Sequence, residues 1–212
     1  MPIKIDRVDD GLPISVVIPM SHKRKDFFEN FVLPMIEINN PVEIIINDNL
    51  GSAPKKRNDG LKKSTQPYVF FCDDDIILPA NYLEILYNTL IKQPTNIGYV
   101  YTGYHGIVLY PHTHPMGGNF VLQSMPFNVE RLMRGNYISP MTLFRKDSLQ
   151  SYDETMKRLE DWELFVRLAK SGVHGVFVDK LRFHAYYLDE GITSNNNNEM
   201  EWINYVRRKH GM

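Results

Sequence analysis

The stretch "YVFFCDDDIILP", residues 68–79, decides how the rest of the chain is read. Tyr68, Val69, Phe70 and Phe71 form a short run of aromatic and β-branched residues between Pro67 and Pro79. Such a run predicts a buried strand. Asp73, Asp74 and Asp75 then stand where that strand emerges. Three adjacent carboxylates repel one another, so something positive, or water, must offset them. Asp73 and Asp75, one residue apart at a strand end, can point the same way and offer hard oxygen ligands to Mg²⁺ or Mn²⁺. A divalent ion bridging them to a diphosphate would draw negative charge off a leaving phosphate. The same residues also read as a solvated acidic turn, helped by the positive end of a helix after Pro79.

On both sides of this strand the chain alternates. "ISVVIP" (14–19) and "VEIIIN" (42–47) predict buried strands, and "IGYVYTG" (97–103) a fourth. "DFFENFVLPMIEIN" (26–39) has helical spacing, with a kink or break expected at Pro34. "APKKRNDGLKKS" (53–64) predicts a short helix with Pro54 in its first turn. "PANYLEILYNTLIKQ" (79–93) predicts another, with Leu83, Leu86, Tyr87 and Leu90 on one side. The order β-α-β-α-β-α-β implies an α/β fold with a parallel sheet and helices on both faces. Ligands bind such sheets beyond the carboxyl ends of the strands, where Asp48 and the three aspartates fall.

The second half is less regular. Residues 103–126 read as strands or long loops, and "MTLFRKDSL" (141–149) as a strand followed by a helix. "EDWELFVRLAKSG" (160–172) is a helix with Trp162, Phe165, Leu168 and Ala169 on one side and Gly172 at its end. "GVFVDKLRFHAYY" (175–187) gives one or two strands, and "NNNNEMEWINYVRRKHGM" (195–212) an Asn-rich lead into a final helix. No internal repeat or linker interrupts the chain. A single domain is expected, with a nucleotide-binding half over about 12–102, an acceptor-side half over 103–187 and a C-terminal helix over 188–212.

Composition narrows the function classes. The 212 residues are 43% hydrophobic and 23% charged, ordinary for a globular protein. The net charge of −1 gives no global basic field for nucleic acid. The single Cys72 rules out an internal disulfide framework and fits a reducing compartment. No apolar run approaches the ~20 residues of a spanning helix. The opening "MPIKIDRVDDG" has no apolar core of a secretory signal. A cytoplasmic enzyme or binding protein is the expectation.

Several segments together resemble a family 2 glycosyltransferase of the GT-A fold, a nucleotide-diphospho-sugar transferase with a Rossmann-like mixed sheet. "SVVIPMSHKRKDFFENFV" resembles that family's opening strand and helix, and "VEIIINDNLGS" its second strand ending in a base-reading Asp. "KKRNDGLKKS" resembles its A-R-N-x-G segment and "YVFFCDDDIILP" its D-x-D segment. "GNYISPMTLFRKDSL" and "EDWELFVRLAKSG" resemble its acceptor-side strand and ED helix. These pieces run in family order through roughly residues 14–185.

The resemblance implies roles. Asp48 would hydrogen-bond the donor's base, with Arg57 nearby, and Pro19, Met20 and Ser21 would line the base pocket. Asp73 would lie by the ribose and metal, Asp74 beside it on the donor, and Asp75 would ligate the metal. Asp161 would be the general base, oriented or helped by Glu160. His184 would approach the metal or diphosphate. The implied reaction is inverting transfer of a sugar from a UDP- or GDP-linked donor to a hydroxyl, dependent on Mn²⁺ or Mg²⁺. The acceptor class, a glycan or another hydroxyl bearer, stays open, and so does a homo-oligomer. Met20-Ser21 replaces the family's Thr-Tyr, and Asp48-Asn49-Leu50-Gly51-Ser52 loosens its Asp-Asp-Gly-Ser.

Each residue also has a plainer role. Asp48 suits a turn. Lys55, Lys56 and Arg57 suit a solvated helix face. Glu160 and Asp161 suit a first helical turn, whose dipole would depress the pKa of Asp161. Trp162 and Phe165 suit the core, and His184 suits a buried strand. His112 and His114 have metal-like spacing, but a loop near the acceptor is the better reading. Trp202, Ile203, Tyr205 and Val206 are expected to pack onto the domain. A nucleotidyltransferase or a non-catalytic sugar-nucleotide-binding module on the same fold remains an alternative. The first usually needs a Gly-rich basic loop, and "IPMSHKRK" has no glycine.

Overall fold

A computed structural model describes residues 3–6, 10–110, 117–188 and 199–212. The expectation at His112 and His114 lies outside these described residues. Strands β1 (Ile3–Asp6), β2 (Leu12–Pro19), β3 (Pro41–Asn47), β4 (Tyr68–Phe71), β5 (Ile76–Ile77), β6 (Ile97–Val108), β7 (Phe120–Leu122), β8 (Leu143–Arg145) and β9 (His174–Tyr187) join in one mixed sheet. Its order is β1-β3-β2-β4-β8-β6-β9-β5, with β7 paired to β6.

Strands β3, β2 and β4 run parallel, as the alternating pattern predicts. The expected fourth parallel neighbour is displaced. β8 inserts antiparallel between β4 and β6, so the sheet is mixed rather than parallel. The insertion brings Tyr68, Val69 and Phe70 opposite Arg145, Phe144 and Leu143. It therefore carries the segment just before β8, residues 136–142, to the strand end that bears the aspartates.

The strands bury both faces. From β2, Ile14, Val16 and Ile18 join one core layer and Val17 the other. From β4, Phe70 faces the first layer and Val69 and Phe71 the second. Such runs show little polar alternation because neither face meets water. The first layer takes Phe28, Val32 and Ile36 from the segment 22–38, and Tyr82, Leu83, Leu86 and Leu90 from the helix Tyr82–Leu90. The second takes Trp162, Leu164, Phe165 and Leu168 from the helix Glu160–Lys170. It also takes Val206, with Trp202, Ile203 and Tyr205 beside it, from the helix Glu199–His210, so that helix does pack onto the domain.

Two local expectations change. Pro34 does not end the helical run, which is instead distorted beside it. The turn before it, Phe28–Val32, widens to π-helical bonding, with Leu33 N–H donating to the Phe28 carbonyl, and Pro34 falls in the first turn of Leu33–Ile38. A proline lacks the N–H that an interior position must donate, and a widened turn absorbs that loss. After β8 the chain makes only one 3₁₀ turn, Lys146–Ser148, rather than a helix. Among the described residues no helix is long and apolar enough to cross a membrane.

Candidate active site

The helix Ala53–Lys63 carries Arg57, which binds two of the site's carboxylates. Its Gly60 lies against β2, where a Cβ would fall 2.3 Å from Val17 Cγ1. That close approach brings Arg57, one turn earlier, under the end of β4. Arg57 is buried and forked: Nη2 donates to Asp73 Oδ1 at 2.7 Å and Nη1 to Glu160 Oε1 at 2.9 Å. Its guanidinium also lies 5.3 Å from the Tyr152 ring centre. Burial alone would lower its proton affinity, but Asp73, Tyr152 and Glu160 raise it. The neighbouring Asn58 exchanges hydrogen bonds with the Tyr152 backbone, donating to its carbonyl at 2.9 Å and accepting its N–H at 2.8 Å. One short helix thus ties β4 to the segment leading into the Glu160 helix.

The three aspartates diverge. Asp73 turns to Arg57. Asp74 has no exposed surface; it accepts the Ser21 N–H and pairs with Arg24 Nη2 at 2.6 Å. Burial raises its pKa, against Arg24 and the Ser21 N–H, which lower it. Asp74 is therefore an internal anchor, which corrects its expected place on the donor. Asp75 stays about a quarter exposed, with Oδ2 3.5 Å from Arg24 Nη1. Burial, together with Asp73 and Asp74, pushes its pKa up to about 7 despite Arg24.

Asp161 opens the helix Glu160–Lys170. Leu159, just before it, holds a left-handed φ of 59°, which costs a branched side chain about 1–2 kcal/mol. Asp161 Oδ1 accepts the Trp162 N–H at 2.8 Å, and Oδ2 accepts from Asn136 Nδ2 at 2.8 Å. Burial and the Glu160 charge push its pKa up to about 7. This reverses the depressed value expected from the helix dipole, because desolvation and a like charge outweigh a fraction of a unit charge at a helix end.

Asp73, Asp75 and Asp161 line one cavity of about 310 Å³, together with Arg24, Asn136 and the aromatic side chains Tyr104, Tyr137, Phe183, Tyr186 and Tyr187. Tyr104 stacks on Phe183, and its hydroxyl lies 3.1 Å from that of Tyr187. Five carboxyl groups, at 73, 74, 75, 160 and 161, thus meet two guanidinium groups, Arg24 and Arg57, with Lys56 nearby. The excess is negative and suits a cation.

Other expected residues fall outside the cavity. Met20 is buried in the core, so its side chain does not line a base pocket. Pro19 ends β2 and Asp48 follows β3, at the expected strand ends. The cation beside Asp48 is Lys56, whose Nζ donates to the Met20 carbonyl at 2.7 Å; Arg57 is engaged elsewhere. His184 pairs with Ile77 across the sheet, and its ring centre lies 5.5 Å from that of His105. The cavity takes Phe183, Ala185, Tyr186 and Tyr187 from β9, not His184. Among the described residues no three His, Cys, Asp or Glu side chains are grouped to hold a metal ion. Sequence reasoning missed Arg24 and Asn136. Arg24 was visible only as one charge in "SHKRK", and Asn136 only as part of "GNYISPM".

Comparison with known proteins identifies the family and the fold. The description "Glycosyl transferase family 2" matches residues 15–153. The structure of S. aureus TarS 1-349 in complex with UDP-GlcNAc superposes with a TM-score of 0.68 at 17% identity, over 94% of this chain and 65% of that one. The same S. aureus protein in complex with UDP gives 0.58 at 16% identity, over 83% and 61%. The chain thus spans less than two-thirds of the length of these structures. No curated protein sequence matches it. The matched residues carry β2, β3, β4, β8, the Arg57 helix and all three aspartates: the chain belongs to glycosyl transferase family 2 and has the GT-A fold.

Proposed function

We propose that the protein is an inverting glycosyltransferase that moves a sugar from a nucleoside diphosphate to an acceptor hydroxyl. The observation that carries this reading is the shared cavity, which Asp73, Asp75 and Asp161 all line. Uridine is favoured over guanosine because the superposed S. aureus structures carry UDP-GlcNAc and UDP.

In this reading the nucleotide lies beyond the carboxyl ends of β2, β3 and β4, with Asp48 and the Pro19–Ser21 backbone toward the base. Asp73 and Asp75 would hold Mn²⁺ or Mg²⁺. The donor set fits: such ions take one or two carboxylates and complete their shell with water and phosphate oxygens, which needs no third protein ligand. When bound, the ion neutralises charge on the departing diphosphate. Asp161 accepts the proton of the acceptor hydroxyl, whose oxygen bonds to the anomeric carbon. The bond from that carbon to the diphosphate oxygen breaks, and its electron pair leaves with the diphosphate. One displacement inverts the configuration. A pKa near 7 suits a base at neutral pH. Asn136 and the Trp162 N–H aim the carboxylate, and the Glu160–Arg57–Asp73 chain holds base and donor aspartates in register.

Calorimetric titration with UDP, with and without Mn²⁺, tests the donor assignment. Binding in Mn²⁺ should weaken at least about tenfold in Asp75→Asn, one charge-assisted contact being worth about 1.5–3 kcal/mol. Absence of UDP binding in both conditions would overturn the donor. Equal binding in Mn²⁺ and in chelator would overturn the metal.

A further inference from the structure

Resting on the nucleotide-sugar reading above, we propose that Arg24 is the resident cation of the donor site, exchanging Asp75 for the donor diphosphate when the divalent ion arrives. Arg24 follows β2 in the 3₁₀ turn His22–Arg24 and lines the cavity beside Asp73 and Asp75. Its two terminal nitrogens are held unequally. Nη2 stands 2.6 Å from Asp74 Oδ1, a close ion pair without hydrogen-bond alignment. Nη1 stands 3.5 Å from Asp75, beyond the range of charge-assisted hydrogen bonds. The tight contact is to the one aspartate that is sealed from solvent, and the loose contact is to one that reaches the cavity.

The inequality gives the guanidinium a fixed arm and a free arm. While the cavity holds only water, the free arm tempers the repulsion between Asp75 and its neighbours. With Asp75 holding a divalent ion, the guanidinium would lose that task and be repelled. Arg24 remains anchored through Asp74, which has no other cation within ion-pair distance among the described residues. Its freed N–H groups would then be open to an anion in the cavity that Arg24 lines. A planar guanidinium is well suited to phosphate oxygens. The fork also accounts for the buried Asp74: it keeps a positive side chain at the donor site without spending a cavity-facing carboxylate on it.

The exchange makes Arg24 a competitor of the free ion and a partner of the diphosphate. Calorimetry on the whole chain separates these. Arg24→Gln should bind Mn²⁺ alone about fivefold or more tightly than wild type, and UDP in saturating Mn²⁺ about tenfold or more weakly. Arg24→Lys, which keeps a charge on Asp74 but has no second arm, should shift both titrations in the same directions and covers the case in which Arg24→Gln does not fold. Unchanged affinities, or a change in only one titration, overturn the exchange while leaving the donor assignment intact. If wild type itself binds no UDP, the donor assignment fails first and the exchange falls with it.

Discussion

Gly60→Ala puts the geometry of the Arg57 helix to the test. The new methyl would fall 2.3 Å from Val17 Cγ1 and 3.4 Å from Val17 Cβ and Cγ2. Carbon atoms rest about 3.5–4.0 Å apart, so helix and strand must part by roughly 1.5 Å or Val17 must turn. Val17 is fully buried in a core layer with Ile45, Val69 and Phe71, and its β-branched side chain has little rotamer freedom. Overpacking of this kind costs about 1–3 kcal/mol, and an overlap against a fixed partner belongs at the upper end. Replacing glycine in a helix returns about 1 kcal/mol. The net loss is roughly 1–2 kcal/mol, or about 2–8 °C in Tm for a domain of this size. Helix displacement also opens the 2.7 Å Arg57–Asp73 pair, so UDP affinity should fall with stability. Scanning calorimetry and UDP titration read both. A Tm equal to or above wild type would mean that helix propensity wins and that the tight contact does not constrain the helix.

Asn136→Ala removes a donor to the ionised Asp161, so the acid limb of the pH–rate profile should move upward from about 7. Because Asn136 is exposed, the shift should stay below about one unit. An unmoved limb would show that Asn136 does not touch the reacting base. Glu163 is buried under Arg167, Lys209 and His210, so Glu163→Ala should cost about 3 kcal/mol of unfolding free energy at pH 7. Burial would raise the Glu163 pKa, but hydrogen bonds from Arg167 and Lys209 outweigh it and lower the value. A depressed folded pKa adds stability above the unfolded value of about 4.3 and loses it as pH falls through the folded one. The deficit of the variant should therefore be full at pH 7 and shrink below about pH 4; a deficit constant across that range would refute the pairing.

Local features of the fold were legible because they are written in periodicity. The runs 14–19, 42–47 and 68–71 each form a strand, and the carboxyl end of 68–71 leads to the cavity through Asp73 and Asp75. What the alternation could not carry was pairing between distant segments. Nothing in "MTLFRKDSL" says that Leu143–Arg145 pairs antiparallel with β4, yet that pairing delivers Asn136 to Asp161. Proline in a helix signals a lost hydrogen bond, but not whether a π-turn will absorb it, as at Phe28–Val32. Three identical aspartates gave no means of telling which would be sealed inside, since the chain turn after Cys72 decides that, together with Arg24 fifty residues upstream. The Asp161 pKa shift runs against the dipole expectation for a related reason. The dipole is visible in one helix, whereas burial is a property of the assembled cleft.

The most direct test of Asp161 as base needs no knowledge of the acceptor, because water can take its place. Release of UDP from a panel of UDP-linked sugars would be followed with Mn²⁺ for wild type and Asp161→Asn, on the donor that wild type hydrolyses fastest, alongside UDP affinity for both. The expected result is slow release by wild type and a rate at least about 100-fold lower in Asp161→Asn, in the range for loss of a general base, with Kd for UDP within about twofold. Undiminished release by Asp161→Asn, or a loss of UDP binding as large as the loss of rate, would contradict the base assignment.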